Sequence, residues 1–155
     1  MIVSIREIEA QDFERVQSLA ASLEGWFSPE GQEMISRDIH FQNGFVAEVG
    51  SRIVGFILFY SDQGIAHIGW MGVDRTMHRM GIGTKLLNWT IDELRGANAI
   101  ELRVSTLGDS VEYEPYERTR AFYFKHGFAE HQRILHDSES MPEELILRRS
   151  IEKIE

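Results

Sequence analysis

The sequence of 155 residues contains no cysteine. Disulfide staples, thiolate nucleophiles and cysteine metal ligands are excluded together. Histidine does not fill the gap. His40, His126, His131 and His136 fall at no metal-site spacing, so structural or surface roles and no metal are expected. Basic charge is also short: 16 Lys and Arg stand against 25 Asp and Glu, for a net charge of −9. That balance argues against a nucleic-acid partner held by phosphate neutralisation, and it is compatible with a cationic substrate. No apolar run has the length needed to cross a bilayer, and Met1 to Glu7 lacks the basic and apolar segments of a secretion signal. A cytoplasmic protein with no membrane partner is expected.

What remains suits one core, and a single domain over residues 1–155 is expected. Ile2 to Ile8 alternates as a strand. Phe13, Val16, Leu19, Ala20 and Leu23 form a helical stripe that Gly25 stops. Ser28-Pro29 combines an N-cap with proline at the first helical position, and Asn43-Gly44 closes that helix. Phe45 to Val49, Arg52 to Tyr60 and Ile65 to Val73 read as strands joined by turns at Gly50-Ser51 and Asp62-Gln63-Gly64. Gly69 and Gly72 suggest a bulge or a close backbone approach in the third of these. A helix from Gly83 to Arg95, a strand from Ala99 to Thr106 and a polar loop from Leu107 to Pro115 follow. A helix from Glu117 to His126 and strands Phe128 to His136 and Glu144 to Ile151 complete the chain.

The most informative stretch runs from Gly72 to Leu87. Arg79 to Thr84 would present unpaired backbone N–H groups at a helix start, where the peptide dipoles add positive potential. Gly81 and Gly83 lack Cβ, so a diphosphate could approach the main chain. Two glycines before an amphipathic helix also suit an ordinary strand-to-helix turn. The Walker spacing is absent because Lys85 follows Thr84, and the dinucleotide fingerprint fails at Leu86.

His78-Arg79-Met80-Gly81-Ile82-Gly83 after Met71-Gly72-Val73 resembles motif A of the GNAT superfamily of acyl-CoA-dependent N-acetyltransferases, usually Gln/Arg-x-x-Gly-x-Gly/Ala. His78 departs from that form at its first position, and the adjacent Arg79 could supply the charge instead. Tyr116 to Phe128, with Phe122-Tyr123 and Gly127-Phe128, resembles motif B. The resemblance extends along the whole chain. It implies a mixed α/β fold with a mostly antiparallel sheet of about seven strands and four helices, in the order β-α-α-β-β-β-α-β-α-β-β. It also implies acetyl-CoA as co-substrate, direct transfer to the amine of a small molecule, amino-acid-like compound or peptide, and a homodimer.

By that resemblance Met71, Gly72 and Val73 would offer main-chain groups to the pantetheine arm between two splayed strands. His78, Arg79, Met80, Gly81, Ile82, Gly83 and Thr84 would surround the diphosphate. Tyr123 would be the general acid, since a phenol of pKa ~10 can donate to a forming thiolate; the other reading is a packing aromatic. His67, on the face of Met71 if no bulge intervenes, is the candidate base, against a structural histidine or a water chain. Trp26 and Phe27 are either core or part of a substrate wall, and the acidic loop Asp109 to Glu114 either attracts a cation or is simply solvated. An acyl-CoA-binding module with little transfer is the alternative function.

Overall fold

Hairpin chemistry builds the first half of the sheet. The structure, a computed structural model, describes residues 1–139 and 141–153; of the expected final turn, Ser140 lies outside the described residues. Strand β1 (Val3–Glu7) leads through a 3-10 turn (Ala10–Asp12) into α1 (Phe13–Ser22), and then α2 (Pro29–Asp38). Strands β2 (Asn43–Val49), β3 (Arg52–Asp62) and β4 (Ile65–Val73) form a meander. Gln63 at φ 52° and Gly64 at φ 83° supply the two positive angles of a tight turn between β3 and β4. Next come a 3-10 turn (Arg75–Met77), α3 (Ile82–Gly96), β5 (Glu101–Leu107), α4 (Glu114–Lys125), β6 (Ala129–Leu135) and β7 (Glu143–Ser150).

The expected succession and the mixed, mostly antiparallel seven-strand sheet with four α-helices are present. The sheet order is β1-β2-β3-β4-β5-β7-β6. Among the described residues only β4 and β5 run parallel, joined by the crossover through α3. Two boundaries shift for local reasons. Ser28 accepts a hydrogen bond from the Gly31 N–H at 3.1 Å, so α2 starts as expected, but it ends at Asp38 and leaves Asn43 to open β2. Helix α4 starts at Glu114 rather than Glu117, because Pro115 occupies its first turn instead of ending the loop.

Each face of the sheet has its own core. Leu19, Leu23, Phe27, Ile35 and Ile39 from α1, α2 and their connection cover one face through Val46, Phe56 and Leu58. Leu86, Leu87, Ile91 and Leu94 of α3, with Tyr123 of α4, cover the other through Ile57, Ala66, Leu102 and Leu147. This arrangement leaves the C-terminal end of β4 between α1, α3 and α4. Among the described residues, no helix is long and apolar enough to cross a membrane, and no group of His, Asp or Glu could hold a metal ion.

The start of α1 is fixed by a buried carboxylate. Asp12 takes two hydrogen bonds from the Arg6 guanidinium, at 2.7 and 2.8 Å, and one from the Glu9 N–H at 2.8 Å. Arg6 holds the Asp12 carboxyl below its ordinary value against the opposing effect of burial. A depressed folded-state pKa contributes stability above the unfolded value near ~3.9, which is lost as pH falls through the folded one. Asp12→Asn is therefore expected to cost roughly 1–3 kcal/mol at neutral pH. Urea denaturation should show the gap to wild type narrowing below pH ~4; a constant gap would mean that ionisation contributes nothing.

Candidate active site

Strand β4 separates from its parallel neighbour halfway along. Ile65 to Ile68 pair with Glu101 to Val104, and from Gly69 onward β4 has no partner on that side. The cause is visible on the opposite edge. Leu58 pairs with Trp70 while Phe59 pairs with Ile68, so Gly69 is the extra residue of a bulge, one of the two readings that Gly69 and Gly72 left open in the sequence. Beyond it β3 and β4 remain in register through Ile57–Met71, Phe56–Gly72 and Gly55–Val73. The Asp74 N–H donates to the Val54 carbonyl at 2.8 Å. By antiparallel alternation Gly72 also directs its main-chain groups at β3, whereas Met71 and Val73 direct theirs into the gap beside β5. Gly72 is thus not a main-chain donor to the gap, and Met71 is.

The bulge also changes which side chains share a face. Ala66 and Ile68 lie with Met71 and Val73 on the α3 side. His67 therefore points to the α1 and α2 side, where it stacks on Tyr60 with centroids 4.9 Å apart, and Trp70 packs on that same side. The period-two expectation that grouped His67 with Met71 fails at Gly69. His67 is outside the cleft, and burial followed by the charge of Arg103 lowers its pKa.

The gap opens into a cleft of about 620 Å³. Met71, Gly72 and Val73 of β4, the turn residues Met77 to Arg79, and Gly81 to Thr84 at the start of α3 form one wall. Helix α4 supplies the other through Arg118, Thr119, Ala121, Phe122, Tyr123 and Lys125, with His126 directly after it. Met80 of the expected set is absent from the lining, its side chain being exposed. Arg79 at φ 68° and Gly81 at φ 79° flank Met80, and such alternation curls successive N–H groups into a concave donor surface. Gly83 allows a close approach: a Cβ there would lie 3.2 Å from Met71 Cε and 3.3 Å from the Phe122 ring.

His78 does not reach outward as the expected phosphate contact. Its Nε2 lies 2.7 Å from the Val73 carbonyl oxygen and so donates to it, and its ring meets Trp26 edge-on at 5.3 Å. Trp26 lines the cleft and donates Nε1–H to the Pro115 carbonyl at 3.2 Å, while Tyr116 donates its hydroxyl to the Trp26 carbonyl at 2.6 Å. Phe27 belongs to the core and also borders the cleft. The acidic loop is tied down by ion pairs, Asp109 with Arg133 at 2.6 Å and Glu114 with Arg118 at 2.6 Å.

Tyr123 is 5% exposed, and among the described residues its hydroxyl meets only the weak acceptor Met71 Sδ, at 3.9 Å. Burial above all, with a smaller effect of Tyr116, holds the phenol well above its ordinary value. The group therefore keeps its proton at neutral pH. Arg79, Arg118 and Lys125 give the lining positive charge, and it contains no carboxylate among the described residues. Arg118, Lys125 and His126 were not expected here, since nothing in local spacing reveals which side of α4 meets α3. His126 Nε2 lies 3.0 Å from Thr84 Oγ1.

With this geometry in view, residues 2–128 match the model of the Acetyltransferase (GNAT) family. The chain belongs to the GNAT acetyltransferase family. Its fold is shared with the ribosomal-protein-S18-alanine N-acetyltransferase of Escherichia coli, at TM-score 0.80 and 17% identity over 99% of this chain and 97% of that one. Ard1 from Thermoplasma volcanium gives 0.78 at 23% identity, over 99% and 100% of the two chains. The PaiA N-acetyltransferase of Thermoplasma acidophilum, in complex with coenzyme A, gives 0.72 at 18% identity, over 97% and 99%. Among curated proteins, none matches the sequence.

The GNAT turn separates backbone from side-chain effects cleanly. A Cβ on Gly81 would meet nothing within 4 Å, so Gly81→Ala loses stability only through its left-handed φ, by roughly 1–2 kcal/mol. Arg79→Gly is expected to stay within about 0.5 kcal/mol of wild type, because released strain offsets the entropy of a new glycine. Urea denaturation of both variants checks this, and equal losses would refute the assignment of strain.

Proposed function

We propose that this protein is an acetyl-CoA-dependent N-acetyltransferase that passes acetyl directly to the amine of a small molecule, amino-acid-like compound or peptide. The observation that carries this reading is the sign of the cleft: Arg79, Arg118 and Lys125 line it without a carboxylate among the described residues, in a chain of net charge −9. A polyanion fits such a lining. An amide-bearing arm fits the main-chain groups that Met71 and Val73 direct into the gap. The N-terminal amides of α3 and the curled turn at Arg79 to Gly81 would hold a diphosphate. The Escherichia coli and Thermoplasma acidophilum neighbours, both N-acetyltransferases and the latter in complex with coenzyme A, support an amine acceptor and this coenzyme.

Bound acetyl-CoA supplies an acetyl group activated as a thioester. The Met71 N–H, turned toward β5, is placed to donate to a carbonyl oxygen held in the gap. Tyr123 Oη is protonated at neutral pH and lines the cleft, which makes it the candidate proton donor to a departing sulfur. His67 lies outside the cleft, His78 Nε2 is engaged by Val73 and His126 Nε2 by Thr84. We assign the amine proton to a water chain, with Nδ1 of His78 or His126, which these contacts leave open, as the competing acceptor. The wall of Leu23, Trp26 and Phe27 excludes bulk solvent on the α1 side.

Thiol release from acetyl-CoA across a panel of amines tests the reading. Tyr123→Phe is expected to lower kcat about 100-fold, with the coenzyme KM changed less than about threefold. With water as the acceptor, kcat/KM for the amine should rise with pH until the amine itself is deprotonated, near ~10 for a lysine-like group, whereas a plateau near ~6.5 would assign the base to a cleft histidine. The exclusion of His67 from the cleft favours a second reading, an acyl-CoA-binding module. Coenzyme binding without turnover across the panel would select it.

A further inference from the structure

His126 sits at a junction that the proposed reaction does not use. Its backbone N–H closes α4 onto the Phe122 and Tyr123 carbonyls, at 3.2 and 3.1 Å, and its ring rests on Phe122 with centroids 4.6 Å apart. Phe122 in turn packs where Gly83 lacks a side chain. The imidazole is therefore held against the first turn of α3, where Nε2 meets the Thr84 hydroxyl at 3.0 Å. Both residues line the cationic cleft.

The pair has a consequence for any anion bound beside it. A threonine hydroxyl has one hydrogen. If His126 Nε2 accepts that hydrogen, Thr84 has none to offer a phosphate oxygen. If Nε2 carries its own proton, as it does in the imidazolium and in only one of the two neutral tautomers, it donates to Oγ1 and the Thr84 hydrogen is free to point at the anion. We propose, building on the coenzyme reading above, that His126 and Thr84 together form a phosphate ligand for the coenzyme and that coenzyme binding takes up a proton at this imidazole.

The charged surroundings agree. Thr84 is the facing polar group of α3, Lys125 is the neighbour on α4, and Arg149 is the cation presented by β7. Burial, then Lys125 and Arg149, lowers the His126 pKa and keeps the ring neutral near pH 7. A polyanion beside the ring counters both cations and favours the imidazolium, as does the C-terminus of α4 beneath it. A site whose pKa rises on binding gives tighter binding as pH falls through that range.

Titration calorimetry tests this with coenzyme A and with dephospho-coenzyme A, in buffers of different ionisation heat. The dephospho form removes the 3′-phosphate, whose own titration could mimic the effect. Wild type is expected to take up a fraction of a proton with both ligands and to bind roughly three- to tenfold more tightly at pH 6 than at pH 8. His126→Gln, which can still donate to Thr84, should bind with little pH dependence and no uptake. Thr84→Val should weaken binding more at pH 6 than at pH 8. Imidazole resonances of His126 should show its pKa rising when dephospho-coenzyme A is added. Equal uptake in wild type and His126→Gln, uptake confined to coenzyme A, or equal weakening of Thr84→Val at both pH values overturns the proposal while leaving the coenzyme reading intact. Failure of wild type to bind either ligand overturns both.

Discussion

Everything at this site depends on a parallel strand pair that does not close. Beyond Ile68 the bulge at Gly69 turns β4 away from β5, and main-chain groups that would have completed a ladder face a cleft instead. Backbone N–H and C=O groups in the middle of a sheet are costly to leave without partners, so such a gap is stable only where a ligand or water can reach it. The divergence does not unravel the sheet. Strand β4 stays registered with β3 through Val73, and β5 stays registered with β7 through Leu107. The opening is rigid because both of its edges are backed.

Local and global charge have opposite signs here. The chain carries −9, yet the described lining of the cleft holds Arg79, Arg118 and Lys125 and no acid. Arg118 shares its charge with Glu114, whereas Arg79 and Lys125 make no ion pair among the described residues. Their fields add to that of the α3 N-terminus within a low-dielectric wall. Net charge is thus a poor guide to the ligand of this site.

Much of the fold was legible because its signals are local. The Asp62-Gln63-Gly64 turn and the apolar stretch after it gave the limits of β4, and Ser28-Pro29 gave the start of α2. The glycine turn and Tyr123 were legible through motifs. His67 was misplaced because one extra residue at Gly69 inverts every side chain beyond it, and a bulge can be suspected from glycine but not positioned. Arg118, Lys125 and His126 were missed for a different reason. Their role depends on how α4 packs across the start of α3, through Phe122 against Gly83, and that contact leaves no periodic trace. Pro115 was a readable signal of helix start that the loop composition around it obscured.

The contacts around Trp26 tie three distant segments into one wall. Its indole N–H holds the Pro115 carbonyl, its own carbonyl holds the Tyr116 hydroxyl, and Tyr113 holds the adjacent Gly25 carbonyl. On the other side the Trp26 ring meets His78 edge-on and lies 5.6 Å from the Arg75 guanidinium. His78 continues the chain to the Val73 carbonyl at the end of β4. The 75–78 turn and the first turn of α4 are therefore not independent. Displacing the 75–78 turn must either break the Trp26 contacts or carry the α1–α2 connection and the start of α4 with it. Histidine at position 78 is what makes this link, because its planar ring both donates to Val73 and packs on the indole. A longer, flexible glutamine or arginine would offer the donor without the same rigid contact.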